Sequence, residues 1–311
     1  YNWTPSGNLN DGSIARPTLQ TLNTTTTFEL AVTDGNGCKA KDSFKVYKDL
    51  KVNAGMNNTY CGSSIKLGGT PTAQNGDASY QYNWSPGSKL DDSTVANPTV
   101  SQVNSRSEFI LRVIDQQGCT KFDTVQIYPQ VTVNLDTLVS ICRGDTVSAS
   151  ALTTTGGDKN YDYQWSPNKK LSNDTIASPM FYPDSTTTYK IVVNDGLGCA
   201  DTQSKKVEVN PSLNSAFSYA NTCYGDTTTF TDSSSIPNGS IANWKWHFGD
   251  GNSANVQNPD HFYSSSGNYN VQLVTTSSSG CIDTATQNIS INPGPAADFT
   301  YQNVCRYRSE E

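Results

Sequence analysis

Four tryptophans, Trp3, Trp84, Trp165 and Trp246, follow one another at intervals of 81 positions. Pro17, Pro98, Pro179 and Pro259 step by 81, 81 and 80. Cys38, Cys119, Cys199 and Cys281 step by 81, 80 and 82, and Cys61, Cys142, Cys223 and Cys305 by 81, 81 and 82. A period that varies by one residue fixes one supersecondary unit per repeat and forces every unit to solve the same packing problem. A period near 81 is too long for a solenoid turn and suits a small β-sandwich.

The local patterns agree. In the second unit KVNAGMN reads as strand A, SIKLGG as strand B and YQYNWSP as strand C. SEFILRVID and TKFDTVQIY read as a final hairpin, strands F and G. Each run alternates apolar and polar residues or is rich in β-branched and aromatic ones, and turn residues bound it. Trp84 on strand C is expected in the core, whereas Trp244 is out of register and expected at the surface or on a neighbouring face. The fold class expected is all-β: tandem Ig-like β-sandwiches in a head-to-tail rod. The expected boundaries give 1–50 as the C-terminal part of one repeat, 51–129 and 130–211 as two full repeats, 212–293 as a fourth, and 294–311 as the truncated start of a fifth. The linkers VNPSLNS and INPGPAAD are short and carry Pro, so closely coupled neighbours are expected. With no initiator Met and no signal peptide, the chain reads as a piece of a longer one.

Composition narrows the partners. Charged residues are 16% of the chain and the net charge is −7, with no Lys/Arg cluster, which argues against nucleic acid and anionic membrane. No apolar run reaches the roughly 20 residues of a membrane span. Eight cysteines beside two Met and two His, with no CxxC pair, point to an oxidising compartment rather than a metal site.

The fourth unit carries a resemblance. WKWHFGDG, NPDHFY and GNYNV hold Trp246, Phe248, Gly249, Asp250, Gly251, Asn258, Pro259, His261, Tyr263, Gly267, Tyr269 and Val271. This pattern resembles the PKD domain. AADFTY at 296–301 is similar to the start of another. The earlier units share YxWSP, NPT and a GC hairpin, and resemble Ig-like repeats of giant Bacteroidetes surface proteins, the SprB-type gliding-motility adhesins exported by type IX secretion. That resemblance implies an extracellular, surface-anchored filament engaged in cell adhesion. The tail VCRYRSEE lacks the Gly of ICRGDTV and TCYGDTT, so residues 306–311 depart from the pattern.

Each unit has one cysteine beside the A–B turn and one past the F–G turn. Strand A runs to the C-terminal pole and strand F returns, which sets the two thiols of one unit roughly 25–30 Å apart. A disulfide needs Cα atoms within about 7 Å. Pairing across joints then favours Cys61 with Cys199 and Cys142 with Cys281. The partners of Cys38, Cys119, Cys223 and Cys305 would lie outside this fragment. Pairing within units (Cys61–Cys119, Cys142–Cys199, Cys223–Cys281) and free thiols stay open as alternatives.

Asp-Ser/Thr followed by a small or aliphatic residue recurs at Ser93, Thr124, Thr137, Thr146, Thr175, Ser185, Thr227 and Thr284. The set resembles the O-glycosylation signal of Bacteroidetes secreted proteins; the competing reading is that Asp opens a strand and Thr continues it. Asp250, Asp91 and Asp92 lack the oxygen spacing of a calcium loop and read as turn caps. His247 and His261 lack a third ligand, so no metal and no cofactor is expected. With no G-x-S-x-G, HExxH or phosphate-cradling loop, no catalytic residue is expected. The partners expected are neighbouring repeats of the same chain, surface glycans or other surface proteins. The function expected is a stalk that spaces an adhesive tip from the cell. The alternatives are an accessory module of a secreted glycan hydrolase or protease, or a glycan-binding module.

Overall fold

The computed structural model describes residues 1–150, 152–295 and 297–300. They form β-sandwiches in tandem, with almost no helix beyond a single 3-10 turn, Gly87–Lys89. In the second unit the main sheet orders Asn58–Thr59, Thr120–Tyr128, Ser107–Ile114 and Gln81–Ser85. The third repeats it with Leu138–Cys142, Ala200–Asn210, Thr187–Asn194 and Asp162–Ser166. The hairpin Ser107–Ile114 with Thr120–Tyr128 is strands F and G, and Gln81–Ser85 is strand C. The opposite sheet is reduced to two-residue and three-residue ladders such as Ile65–Lys66 with Thr99–Val100. In the fourth unit that second sheet is fuller, with Phe217–Ala220, Thr227–Asp232 and Asp260–Phe262. The first unit shows three strands, Asn2–Thr4, Thr26–Thr33 and Lys39–Val46.

Alternation explains the cores. Along Ser107–Ile114, Phe109, Leu111 and Val113 point inward and are fully buried, while Glu108, Ile110 and Arg112 face out. Three separate apolar clusters result, one spanning Leu50 to Ile127, one Val131 to Val209 and one Phe217 to Ile291. No residue is shared between them. Trp84, Trp165 and Trp246 are all at most 2% exposed. A buried indole N–H needs an acceptor. Each finds a backbone carbonyl 10 or 11 residues on, at Val95, Ile176 and Val256, and the half-buried Trp3 repeats the bond to Ile14. The period of the tryptophans is thus the period of one packing motif. Trp244 is half-buried, packs against the fourth core and donates to Asp232 Oδ2 at 2.7 Å.

An aspartate on strand G ties down the incoming strand A in the second, third and fourth units. Asp123, Asp201 and Asp283 accept from the backbone N–H of Ala54, Val133 and Ser215 at 2.6–2.8 Å. The linkers are pinned as well. Pro129 O, at the end of the second unit, accepts from Gly157 N of the third, and Lys48 O accepts likewise from Gly76 N. Gly156, next to Gly157, has φ +76°, and a Cβ there would collide with Gln130 O. Only glycine fits where the linker passes this close.

Candidate functional site

The cysteines meet at the joints. In each sheet the first edge strand runs parallel to the end of strand G: Asn58–Thr59 beside Ile127–Tyr128, and Leu138–Cys142 beside Lys206–Asn210. Cys223 forms the corresponding bridge to Asn292. The A–B cysteine therefore sits where the chain leaves its unit. The other cysteine immediately precedes strand G, at the opposite pole. In the third unit Cys142 is level with Asn210 while Cys199 precedes Ala200. Ten residues of strand, ~33 Å at ~3.3 Å each, separate them. Across a joint the same two corners face each other. The structure joins Cys61 to Cys199 and Cys142 to Cys281, with Cα–Cα distances of 5.5 and 5.7 Å, inside the range a disulfide permits. Cys38, Cys119 and Cys223 are exposed free thiols among the described residues. Cys305 lies outside the described residues, as do residues 301–311 of the expected fifth unit.

The turn that presents each cysteine is shaped by a side chain four residues before it. Asp195 Oδ1 accepts from the backbone N–H of Leu197 and Cys199, and Asp115 and Asp34 do the same for Cys119 and Cys38. Ser277 Oγ replaces the carboxylate for Cys281. This is an Asx-type turn, and it explains the recurrent Asp-x-x-Gly-Cys spacing. At Asp115, burial raises the carboxyl pKa, but N–H donors from Asp77, Cys119 and Gln117 outweigh it and hold the group below its ordinary value. Asp195 turns its other oxygen across the joint to Thr59 Oγ1 at 2.5 Å. A cleft lined by Ala54–Asn58, Ile65–Gly68 and Gly196–Gly198 opens beside the Cys61–Cys199 bond; its walls are backbone, amide and apolar groups with one charge, Lys66.

Of the hydroxyls in Asp-Ser/Thr triplets, Thr124, Thr137, Thr146, Thr175, Ser185, Thr227 and Thr284 are exposed and Ser93 is half-buried. Several of the preceding aspartates already have structural partners: Asp123 and Asp283 cap strand A, Asp136 pairs with Lys205 at 3.0 Å, and Asp184 pairs with Lys170 at 2.7 Å. Asp91, Asp92 and Asp250 each accept a backbone N–H within their own turn. Asp250 Oδ2 also meets His261 Nε2 at 2.7 Å, and the His261 ring stacks on Phe248 with centroids 4.0 Å apart. Burial raises the Asp250 pKa, and the donors Asn252 and His261 bring it below the ordinary value. His247 lies on strand C, paired with Ser253. Among the described residues no group of three or more His, Cys, Asp or Glu is placed to hold a metal ion. No helix there is long and apolar enough to cross a membrane.

The sequence reading missed the cross-joint bond of Thr59 to Asp195 and the buried Lys205. The first has no one-dimensional signal, because 136 positions separate its partners. The second had one: Lys205 is in phase with the inward-facing Val207 and Val209.

Residues 208–291 match the PKD domain family. This is the unit that carries WKWHFGDG and the Asp250–His261 pair. A microbial collagenase of Vibrio alginolyticus is 41% identical over 69 residues, which are 22% of this chain and 8% of the collagenase. The chain thus spans under a tenth of that relative's length. The PKD1 domain of the Vibrio cholerae metalloprotease PrtV is 28% identical over 27% of this chain and 98% of its own, with a TM-score of 0.24. The fibronectin(III)-like modules of Clostridium thermocellum CbhA are 11% identical over 56% of this chain and 100% of theirs, with a TM-score of 0.28.

Proposed function

We propose that this chain is a stalk segment of a large secreted bacterial surface adhesin, in which the units 1–50, 51–129, 130–211, 212–293 and the start of a fifth at 294–311 hold an adhesive tip away from the cell and carry force to it. The observation that carries this reading is the disulfide at each of two successive joints, Cys61–Cys199 and Cys142–Cys281. Bonds that cross joints fix the pose of neighbours and resist bending and pulling. The separate core of each unit and the pinned linkers support the same reading. Disulfides at these positions favour an oxidising, extracytoplasmic setting, which suits the stalk reading. In the gliding-motility form of the proposal the protein is a type IX secretion cargo anchored on the cell surface, and the exposed Asp-Ser/Thr hydroxyls carry O-glycans.

Antibody against this chain, applied to intact cells, tests the proposal. Filaments decorated at a regular distance from the surface are expected, with attachment or gliding lost when the gene is deleted. Soluble protein released to the medium with no surface label would overturn it. An intact mass of the native protein above the 33.6 kDa of this segment's polypeptide, after excision by defined cleavage, tests the glycans.

The second reading is an accessory module of a secreted protease or glycan hydrolase. The likeness of the fourth unit to a stretch of a collagenase favours it. Sedimentation of this chain with insoluble collagen or polysaccharide separates the two: retention supports the accessory module, and its absence supports the stalk.

A further inference from the structure

The two disulfides do more than fasten two joints, because their loops overlap. Cys61–Cys199 closes a span of 138 positions and Cys142–Cys281 one of 139. The second begins inside the first, and the shared stretch runs from Cys142 to Cys199, 57 positions. That stretch is the body of the third sandwich. We propose that the overlapping staples turn the tandem array into a covalent ladder, a device that shields sandwich bodies from extension when the chain is pulled.

The connectivity follows from tracing the chain. From Cys61 to Cys281 the backbone runs 220 positions (281 less 61). With both bonds in place, the shortest covalent route passes from Cys61 to Cys199, back along the third unit to Cys142, and across to Cys281. It contains 57 backbone positions. Full unfolding of the second, third and fourth cores cannot lengthen the chain past that route. A peptide spans at most about 3.5 Å per residue, so the stretch between Cys61 and Cys281 is limited to ~200 Å instead of ~770 Å.

The rest of the proposal rests on the stalk reading, in which similar units precede and follow. Cys119 and Cys223 are exposed at the corners that match Cys199 and Cys142. Each bond forms by thiol–disulfide exchange: two thiols here are oxidised as an external disulfide is reduced to two thiols. Carried along the array, the same pairing yields two interleaved rails. One runs from Cys61 across to Cys199, along strand G and the linker to Cys223, and onward; the other includes Cys119 to Cys142. Each rail segment is 23 or 24 residues of strand and linker, already largely extended as Ala200–Asn210 and Phe217–Ala220. The sandwich bodies become rungs between the rails, and load passes along strands instead of through cores.

Pulling single molecules of this chain from residues 1 and 300, before and after reductant, tests the ladder. Reduction of the wild-type chain should release 163 residues (220 less 57), ~570 Å of contour. Cys61→Ser keeps only the second staple and should release 139 on reduction; Cys142→Ser keeps only the first and should release 138, each ~490 Å. The two single values cannot add, because their sum exceeds the 220 available. A wild-type release equal to either single variant, or a release of 57 or 58 residues in separate steps as within-unit bonds require, overturns the proposal. The wild-type reading needs no variant, so a folding defect in either one leaves the test intact. The result concerns connectivity alone: surface labelling can fail while the ladder stands, and the ladder can fail while the filament stands.

Discussion

Thr59 Oγ1 in the second sandwich donates to Asp195 Oδ2 in the third, at 2.5 Å, beside the disulfide that joins them. Both side chains are buried, at 1% and 5% exposure. One carboxylate thus does two things: Oδ1 shapes the turn that presents Cys199, and Oδ2 receives the neighbouring unit. The turn and the joint are coupled through a single group.

Replacing Thr59 by Val removes the donor and keeps the shape. A buried acceptor left unpaired costs about 1–3 kcal/mol. Amide exchange at Leu197 and Cys199 should quicken accordingly. The turn at Ser277–Cys281 should be unaffected, since Ser140, the counterpart of Thr59, bonds to Asn210 instead. Equal protection at Leu197 in both proteins would contradict the coupling.

Gly156→Ala should be far more damaging than its single carbon suggests. The residue has φ +76°, and the new Cβ would meet Gln130 O. Backbone cannot yield as a flexible side chain does, and the linker to the third unit must shift. The Gly157 N–H bond to Pro129 O is then at risk as well. A loss of about 2 kcal/mol or more is expected in urea unfolding. Gly144→Ala, at φ +95° with open space around it, should cost only the strain of the conformation, about 1–2 kcal/mol.

The period told most of this architecture in advance. Trp3, Trp84, Trp165 and Trp246 recur because each closes the same indole-to-carbonyl bond, so spacing carried geometry. The F–G hairpins were legible from alternation and from the Gly at the turn. Other features were not. Asp123 and Asp283 read as strand openings or parts of modification signals, and Asp201 carried no signal of its own, yet all three bond strand A from 68 or 69 positions away. Such contacts depend on how sheets fold over each other, which local pattern does not encode. The short ladders of the second sheet were blurred for a related reason. Two residues, as in Ile65–Lys66, are too few for alternation to register.

Lys205 sits where the second unit has Val125, both opposite an aromatic of strand F, Tyr189 and Phe109. Its side chain is 1% exposed and pairs with the half-exposed Asp136, whose carboxyl it holds below the ordinary pKa. Breaking a buried pair from one side strands a charge, whereas replacing the cation by a well-packed apolar chain need not. Asp136→Ala should destabilise the third unit by about 1–3 kcal/mol. Lys205→Met should be neutral or stabilising, within about 1 kcal/mol. Denaturant unfolding with Trp165 as reporter checks both.

The fourth unit should be acid-sensitive through Asp250. Its carboxyl is held below the ordinary 3.8 by the donors that overcome burial. A depressed folded-state pKa stabilises fully above the ordinary value, and that contribution is lost as pH falls through the folded one. Peptides of the fourth unit should therefore lose exchange protection below about pH 4. Asp250→Asn should lower protection at neutral pH and flatten the acid limb. Asp232, depressed in the same way, would leave a residual limb.

Removing one staple should separate joint order from domain stability. The fourth core contains no residue of the third, so Cys142→Ser with Cys281→Ser leaves both sandwiches with their own apolar interiors. Closing a loop of 139 residues restricts the unfolded chain by up to about 5 kcal/mol in the chain-entropy account. That figure applies only when both flanking units are unfolded together. Each sandwich melting alone loses much less, so its thermal midpoint should fall by only a few degrees. The joint is different. Without the bond, neighbours are held by the short linker around Pro211 and by whatever surface they share, and relative motion is the default for such inter-domain contacts. Fluorophores on exposed Thr175 and Val256 should report a narrow distance distribution in the oxidised chain and a broad one in the variant. A distribution that stays narrow would mean the linker alone fixes the pose, and the disulfide would then serve under load and not at rest.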